Sequence, residues 1–291
     1  MLPRDRDLTL STRPEPPAAR RLWTAPLLER EAIGSAYHVL TFDAPTGIAA
    51  LPGQFAMIRS TTWGSDPLLP RPMSLLTAGA RPSILIKVVG QGTRRMANAS
   101  SGEVFELLAP LGRPWSDFDV ERAPQVASDR RPILVAGGVG VAPLLFLARA
   151  LVARDSARKA LALYGSRSIA DLPLDAELAA VSELRIATED GSRGTRGRVT
   201  VILEEALREH AAAGLPVKVY TCGPEAMMAA VATLCASLDV PCEVSLETPM
   251  ACGYGVCLGC PVPRSSTGFL YACTEGPCID ASAIAWKRSA K

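Results

Sequence analysis

The chain has 291 residues, of which 48% are hydrophobic, 21% charged and 5% aromatic. Its 31 Lys and Arg nearly balance 29 Asp and Glu, so bulk charge gives no reason to expect nucleic acid or an anionic membrane as partner. The scarcity of aromatics weakens any base-stacking platform. The length suits two or three domains, and the apolar content is that of a globular protein with a core.

Residues 1–21, MLPRDRDLTLSTRPEPPAARR, mix both charge signs with four prolines and lack the apolar stretch of a signal peptide, so they read as a disordered tail. From 22 to 123, short apolar stretches (YHVLTF, QFAMIRS, SILIKVV, EVFELLAP) alternate with Pro and Gly turns, the rhythm of an antiparallel barrel or sandwich. Within it, Arg71-Pro72-Met73-Ser74 leads into an apolar strand, and Gly92-Thr93 opens a helical stretch some twenty residues later. An Arg can grip a pyrophosphate through a forked, charge-assisted contact, and a Gly-Thr step before a helix can offer backbone N–H groups to the same phosphates. A Ser beside a flavin ring can hydrogen-bond its N5. Taken alone, RPMS reads more readily as a proline-restricted turn entering a strand; its combination with GQGT and a separate α/β half is the more specific signal.

Residues 124–131 read as a linker, and from 132 to 246 the pattern changes. PILVA, ALALYGS, ELRIATED and VKVYTCGP alternate with the helical LLFLARALVAR, LDAELAAVS, VTVILEEALREHAAAG and EAMMAAVATLCASL, which implies a parallel sheet with crossover helices. The longest uncharged apolar run, Ile133 to Ala148, contains three glycines and a proline, so it reads as strand, turn and helix and not as a membrane span. Its turn, Gly137-Gly138-Val139-Gly140 followed by Pro143, is not G-x-G-x-x-G, yet it allows close approach of a phosphate at a helix start. The alternative is a tight strand-to-helix connection without a ligand. Cys222-Gly223-Pro224 joins a later strand to a helix, at the carboxyl edge where such sheets bind ligands. There Cys222 either packs near a nicotinamide or is a small buried hydrophobe. The polar loop 189–197 either touches a nucleotide or is solvated. Cys235 and Cys242 read as core thiols.

Residues 247–291 are rich in Cys and Gly and show no periodicity. Cys252-x4-Cys257-x2-Cys260, with Cys273 after twelve intervening residues, fits the plant-type [2Fe–2S] spacing. Glycines at 253, 255 and 259 let the backbone curl and aim N–H groups at an anionic cluster. Structural zinc is the rival, but only one C-x2-C occurs and His38 and His210 are remote in sequence. A third reading is buried thiols without metal. Cys278 is a fifth candidate with poorer spacing, and Cys257, flanked by Val256 and Leu258, reads as the most internal ligand. Eight cysteines in a chain without a secretory signal fit a cytoplasmic protein with thiols, metal ligands or redox groups.

In this order, RPMS, GQGT, APLG, GGVGVAP, YGSRS, CGPEAMM and ETPMACGYGVCLGC resemble the ferredoxin-reductase-type flavoproteins, and most of all the electron-transfer subunits of NAD-dependent dihydroorotate dehydrogenase. The resemblance spans about 22–280. It implies a multidomain β plus α/β fold: an antiparallel flavin-binding β-barrel, a parallel-sheet nucleotide-binding domain and a small C-terminal [2Fe–2S] segment. It implies FAD held by Arg71, Pro72, Met73 and Ser74, with Gly92 and Thr93 at the pyrophosphate. NAD is expected at Gly137, Gly138, Gly140, Pro143, Cys222, Gly223 and Pro224, and the cluster on Cys252, Cys257, Cys260 and Cys273. The implied partner is an FMN-containing dihydroorotate dehydrogenase catalytic subunit, in a heterotetramer, with no nucleic acid and no membrane. Two departures stand out. Met73 occupies a position where related motifs often carry an aromatic, and CTEGPCID differs from the usual ending by its extra cysteine.

A nicotinamide exchanges a hydride and an iron–sulfur cluster passes single electrons, whereas a flavin does both and belongs between them. The two histidines lie in no motif, so no general base is expected. The same parts would also suit the FAD/NAD(P) subunit of a hydrogenase, a sulfide-type reductase or a ferredoxin:NADP oxidoreductase. A zinc-stapled binding module is the non-enzymatic alternative.

Overall fold

Alternating burial builds the first half of the chain. The computed structural model describes residues 19–34, 36–119, 121, 129–156 and 159–286, so most of the expected tail (1–21) and linker (124–131) lies outside the described residues. Strands β1 (Arg21–Ile33), β2 (Tyr37–Phe42), β3 (Phe55–Ser60), β4 (Arg71–Thr77) and β5 (Ser83–Lys87), helix α1 (Gln91–Ala97) and strand β6 (Val104–Leu111) follow in order. The strands close into an antiparallel barrel in the order β1-β2-β5-β4-β3-β6. Leu27, Leu40, Phe42, Ile58, Leu75, Ile84, Phe105 and Leu107 fill it, with Phe42 and Phe105 edge-to-face at 5.3 Å.

The four apolar stretches of the sequence coincide with β2, β3, β5 and β6. Strand β1 was not legible, because most of its 13 residues are exposed and a bulge between Leu27 and Glu29 breaks its alternation. It nonetheless closes the barrel by pairing with both β2 and β6. The strand expected after RPMS begins at Arg71 itself.

The second half alternates β7 (Arg131–Gly137), α2 (Val141–Arg154), β8 (Ala160–Ser166), α3 (Asp175–Val181), β9 (Ser182–Thr188), the two-residue β10 (Thr195–Arg196), α4 (Val199–Ala212), β11 (Val217–Cys222), α5 (Glu225–Ser237) and β12 (Cys242–Ser245). The sheet order is β10-β9-β8-β7-β11-β12, with one further strand, residues Cys278–Asp280, beside β12. The chain therefore steps outward from β7 through β8 and β9, then returns to the other side of β7 as β11. That reversal is the point at which open parallel sheets take their ligands. One apolar layer packs Leu134, Leu144, Leu147 and Tyr164 on one face, and the other packs Ile133, Leu163, Leu203 and Val231 on the opposite face.

The Cys- and Gly-rich segment carries a small hairpin, β13 (Pro261–Pro263) with β14 (Phe269–Tyr271), and then β15 (Cys278–Asp280). Strand β15 pairs antiparallel with β12, which ties the end of the chain to the α/β sheet. Polar side chains join barrel and sheet. The half-buried Lys218 Nζ donates to Ser116 Oγ at 2.5 Å and lies 3.3 Å from Asp117 and 3.6 Å from Glu243. Lys87 Nζ of β5 reaches Asp171 Oδ1 at 2.7 Å. Among the described residues no helix is long and apolar enough to cross a membrane.

Candidate functional site

Two cavities flank the barrel–sheet junction. The first, of about 450 Å³, is walled by Pro72, Met73 and Ser74 of β4, Leu85 to Lys87 of β5, Thr93 of α1, Val139 and Ala142 of the turn after β7, and Leu246 to Met250. Arg71 lies over Gly92: a Cβ at Gly92 would stand 2.5 Å from Arg71 Nε. The RPMS and GQGT motifs, twenty residues apart in sequence, are thus one surface. No hydrogen bond or ion pair engages the Arg71 guanidinium among the described residues. Thr93 Oγ1 accepts the N–H groups of Val89 (3.0 Å) and Gly90 (3.1 Å), so its hydroxyl shapes the turn and its backbone opens α1. A cationic Arg beside the unbonded N–H groups of a helix start is a fit for a pyrophosphate, and the apolar Pro72–Met73 wall is a fit for a flat ring.

The second cavity, of about 520 Å³, lies along the carboxyl edge of the sheet and is walled by Gly137, Gly138, Gly165, Ser166, Arg167, Glu189, Arg198, Thr200, Pro224 and Met227, with Tyr37, Lys87 and Asp171 at the barrel side. Gly138 has φ +55°, a conformation that favours glycine. Of the expected dinucleotide residues, Gly137, Gly138 and Pro224 line this cavity. Gly140, Pro143, Cys222 and Gly223 stand behind its wall and are buried. Gly140 packs directly on the Cys222 peptide: a Cβ there would be 2.2 Å from Cys222 O. Burial pushes the Cys222 thiol well above its ordinary pKa, so it is a neutral packing group.

Tyr37, Lys87 and Asp171 escaped the sequence reading. Tyr37 OH donates to Asp171 Oδ1 at 2.8 Å across 134 residues of chain, and Lys87 bridges 84 residues to the same oxygen. The hydrogen bond from Lys87, then that from Tyr37, holds the Asp171 carboxyl below the usual range. Lys87 lines both cavities. A Lys ending an apolar strand carries no local signal of such a role.

The four expected cluster cysteines come together as two plus two. Cys260 and Cys273 are buried with their sulfurs 3.2 Å apart. Cys252 and Cys257 interact through their thiols and backbone. Among the described residues no three His, Cys, Asp or Glu side chains converge on one metal ion, and paired thiolates are instead what a two-iron cluster uses. The amides of Tyr254 and Gly259 point at Cys252 Sγ (3.5 Å) and Cys257 Sγ (3.4 Å). Burial pushes Cys252 up, but the N–H groups of Cys257, Tyr254 and Val256 outweigh it and bring the thiol down to about 6. Gly253 and Gly255, at φ +79° and +92°, make this curl possible.

Cys257 is exposed, which corrects its reading as the most internal ligand: Val256 and Leu258 also face outward and bury nothing over it. Cys278 lies apart, fully buried in β15 in the core layer with Trp115, its sulfur 3.7 Å from the Gly53 carbonyl oxygen. The cysteine loop sits against the wall of the first cavity. Phe55, which lines the first cavity, shares an apolar patch with Met57, Leu111, Cys260 and Cys273, and Met250 lines the cavity two residues before Cys252.

A closed barrel, a doubly wound sheet and a four-thiol loop define a ferredoxin-reductase-like oxidoreductase subunit. Residues 134–233 match the family described as "Oxidoreductase NAD-binding domain", and residues 247–285 match "Iron-sulfur cluster binding domain of dihydroorotate dehydrogenase B". Among solved structures, that of an NADH-dependent reduced ferredoxin-NADP oxidoreductase superposes with a TM-score of 0.74 over 90% of each chain at 24% identity, a likeness of fold. The chain is 36% identical to "Dihydroorotate dehydrogenase B (NAD(+)), electron transfer subunit" of Geobacillus kaustophilus, over 80% of this chain and 86% of that one. It is 35% identical to the protein of the same name from Desulforamulus reducens, over 86% and 93%. The chain belongs to this family of electron-transfer subunits of NAD-dependent dihydroorotate dehydrogenase B. FAD, NAD and a [2Fe–2S] cluster fit its two cavities and its paired thiols.

Proposed function

We propose that this chain serves an FMN-containing dihydroorotate dehydrogenase catalytic subunit, in a heterotetramer, carrying electrons by way of the [2Fe–2S] cluster and FAD to NAD. The observation that carries the reading is the continuity from thiols to flavin wall through Phe55 and Met250. When bound, the flavin supplies the exchange between one-electron and hydride chemistry. The chain's own residues bind and orient. Arg71 takes the pyrophosphate with the Gly92–Thr93 backbone, Met73 and Pro72 wall the ring, and Ser74 faces the ring edge. Gly137, Gly138 and Pro224 give the dinucleotide its close approach, while Gly140, Pro143, Cys222 and Gly223 hold the two turns together behind it.

Cys252 with Cys257, and Cys260 with Cys273, would hold the [2Fe–2S] cluster, which supplies single-electron transfer. Tyr254, Val256, Leu258 and Phe269 leave an exposed apolar rim around the thiol loop, which suits docking of the catalytic subunit. Free thiols throughout the described chain accord with the cytoplasm. The domains divide at about 22–123, 132–246 and 247–291. Mixed with the catalytic subunit, the protein should co-elute and reduce NAD on addition of dihydroorotate. A stable complex that reduces dyes but never NAD would refute the reading.

A further inference from the structure

Period-two alternation along β8 puts Ala160, Ala162 and Tyr164 in one apolar layer and Leu161 and Leu163 in the other. Tyr164 is fully buried and pairs with Ala136 of β7, one residue before the Gly137 turn. Its hydroxyl reaches that turn: it donates to Gly138 O at 2.9 Å and to Pro173 O at 3.0 Å. One hydroxyl proton is thus shared between two carbonyls. Burial holds Tyr164 well above the ordinary tyrosine range, so the donor stays protonated. Pro173 lies two residues beyond Asp171, so the same hydroxyl ties the Gly138 turn to the segment that Lys87 and Tyr37 hold.

The Gly138 carbonyl belongs to a peptide with a particular place. Gly138 walls the second cavity and Val139 the first, so the peptide joining them is the ridge between the two. A trans peptide points its C=O and its N–H in opposite directions. Gly138 O is turned toward Tyr164 and also accepts the Val141 N–H, so the Val139 N–H is turned the other way. Val139 lies in the first turn of the helical stretch, where an N–H has no intrahelical acceptor. No other backbone acceptor takes it among the described residues. Gly138, at φ +55°, has no Cβ to oppose rotation of this peptide, so the contacts of its carbonyl set the orientation.

We propose that Tyr164 is a positioning residue for the dinucleotide: its hydroxyl fixes the Gly138–Val139 peptide so that the Val139 N–H donates to the bound dinucleotide at the ridge. With the peptide turned over, a carbonyl oxygen would stand there and repel the acceptor groups of the ligand. Tyr164 touches no ligand itself and acts through the backbone of the turn. The proposal rests on the reading that the second cavity holds the dinucleotide.

The test compares the full flavin-loaded chain with Tyr164→Phe, which keeps the ring and removes the hydroxyl. Loss of an ordinary hydrogen bond corresponds to roughly two- to tenfold in an equilibrium constant. The Kd for NAD and the KM for NADH with a dye acceptor should rise by about that factor, while kcat stays within about twofold and the flavin is retained. In the wild type, NAD should slow deuterium exchange of the segment that carries Val139, and in Tyr164→Phe this protection should be lost. Ser182→Ala separates positioning from stability alone. It cuts another buried hydroxyl-to-carbonyl bond, from Ser182 Oγ to Leu178 O, at the start of β9 and away from the carboxyl edge. That variant should lower Tm and leave NAD binding unchanged. A Kd that moves less than about twofold in Tyr164→Phe, or moves as much in Ser182→Ala, overturns the proposal alone. NAD protection of the Val139 segment that survives in Tyr164→Phe does the same. Failure of NADH to reduce the wild-type flavin would overturn the cavity reading and the proposal with it.

Discussion

Replacing Cys273 with Ser should strip the protein of most of its iron and its visible cluster absorption, while Cys278→Ser should leave both intact. The two residues are five apart in sequence and fully or nearly buried, so exposure does not separate them. Their surroundings do. Cys273 lies 3.2 Å from Cys260 in the thiol pair, on the apolar patch shared with Phe55 and Met57. Cys278 belongs to β15, opposite Ser245 of β12, and its thiol faces the Gly53 carbonyl at 3.7 Å. A serine hydroxyl can donate to that carbonyl, so Cys278→Ser should cost about 1 kcal/mol, or about 2–4 °C in Tm. Removing one thiolate from a pair leaves an iron without its ligand, and the binding energy that organises the loop goes with it. Iron and sulfide per flavin, with the visible spectrum, check the prediction. Full iron in Cys273→Ser and loss in Cys278→Ser would mean that Cys278 is the ligand.

Gly140→Ala should disable the dinucleotide site more severely than any exchange on the cavity wall. The backbone of Gly140 has φ −61°, which alanine adopts freely, so the argument is steric alone. The new Cβ would lie 2.2 Å from Cys222 O, 2.4 Å from Cys222 C and 2.6 Å from Gly223 N. All three are backbone atoms, and none can rotate away. The turn after β7 and the turn after β11 must separate, and those turns carry Gly137, Gly138 and Pro224. Overpacking of this kind costs typically 1–3 kcal/mol, about 2–10 °C in Tm for a protein of this size. NADH-dependent dye reduction should fall well over tenfold as flavin remains bound. Gly90→Ala, where a Cβ meets nothing within 4 Å, is the stability control. Unchanged NADH oxidation by Gly140→Ala would show that the two turns tolerate separation.

Much of this was legible because the relevant signals are local. The strand-to-helix turns at Gly137 and Cys222 announce themselves through an apolar run that ends in glycine and resumes with helical periodicity. The cluster cysteines are legible from spacing, since three of them fall within nine residues. What local pattern cannot carry is contact between distant segments. The Tyr37–Lys87–Asp171 junction joins a strand start, a strand end and a loop, each unremarkable by itself. Arg167 and Arg198 line one cavity because Gly165 lets α4 close on β8. Burial of the thiols inverted the sequence order of importance: apolar neighbours suggested an internal Cys257, whereas the tight loop turns Val256 and Leu258 outward, and Cys260 and Cys273 are the enclosed pair. Strand β1 escaped because its exposed half resembles a polar linker.

The central claim is that electrons travel between the partner and NAD by way of the cysteine loop. Its most direct test is Cys257→Ser in the complex with the catalytic subunit, measured two ways. Cys257 is exposed on the loop and lines neither cavity, so its loss should spare both. The variant complex should reduce a flavin-accepting dye with NADH at close to the wild-type rate, and its dihydroorotate-dependent reduction of NAD should fall to background. Wild-type NAD reduction by a complex shown to lack its cluster would contradict the account and leave the cysteine loop a structural element.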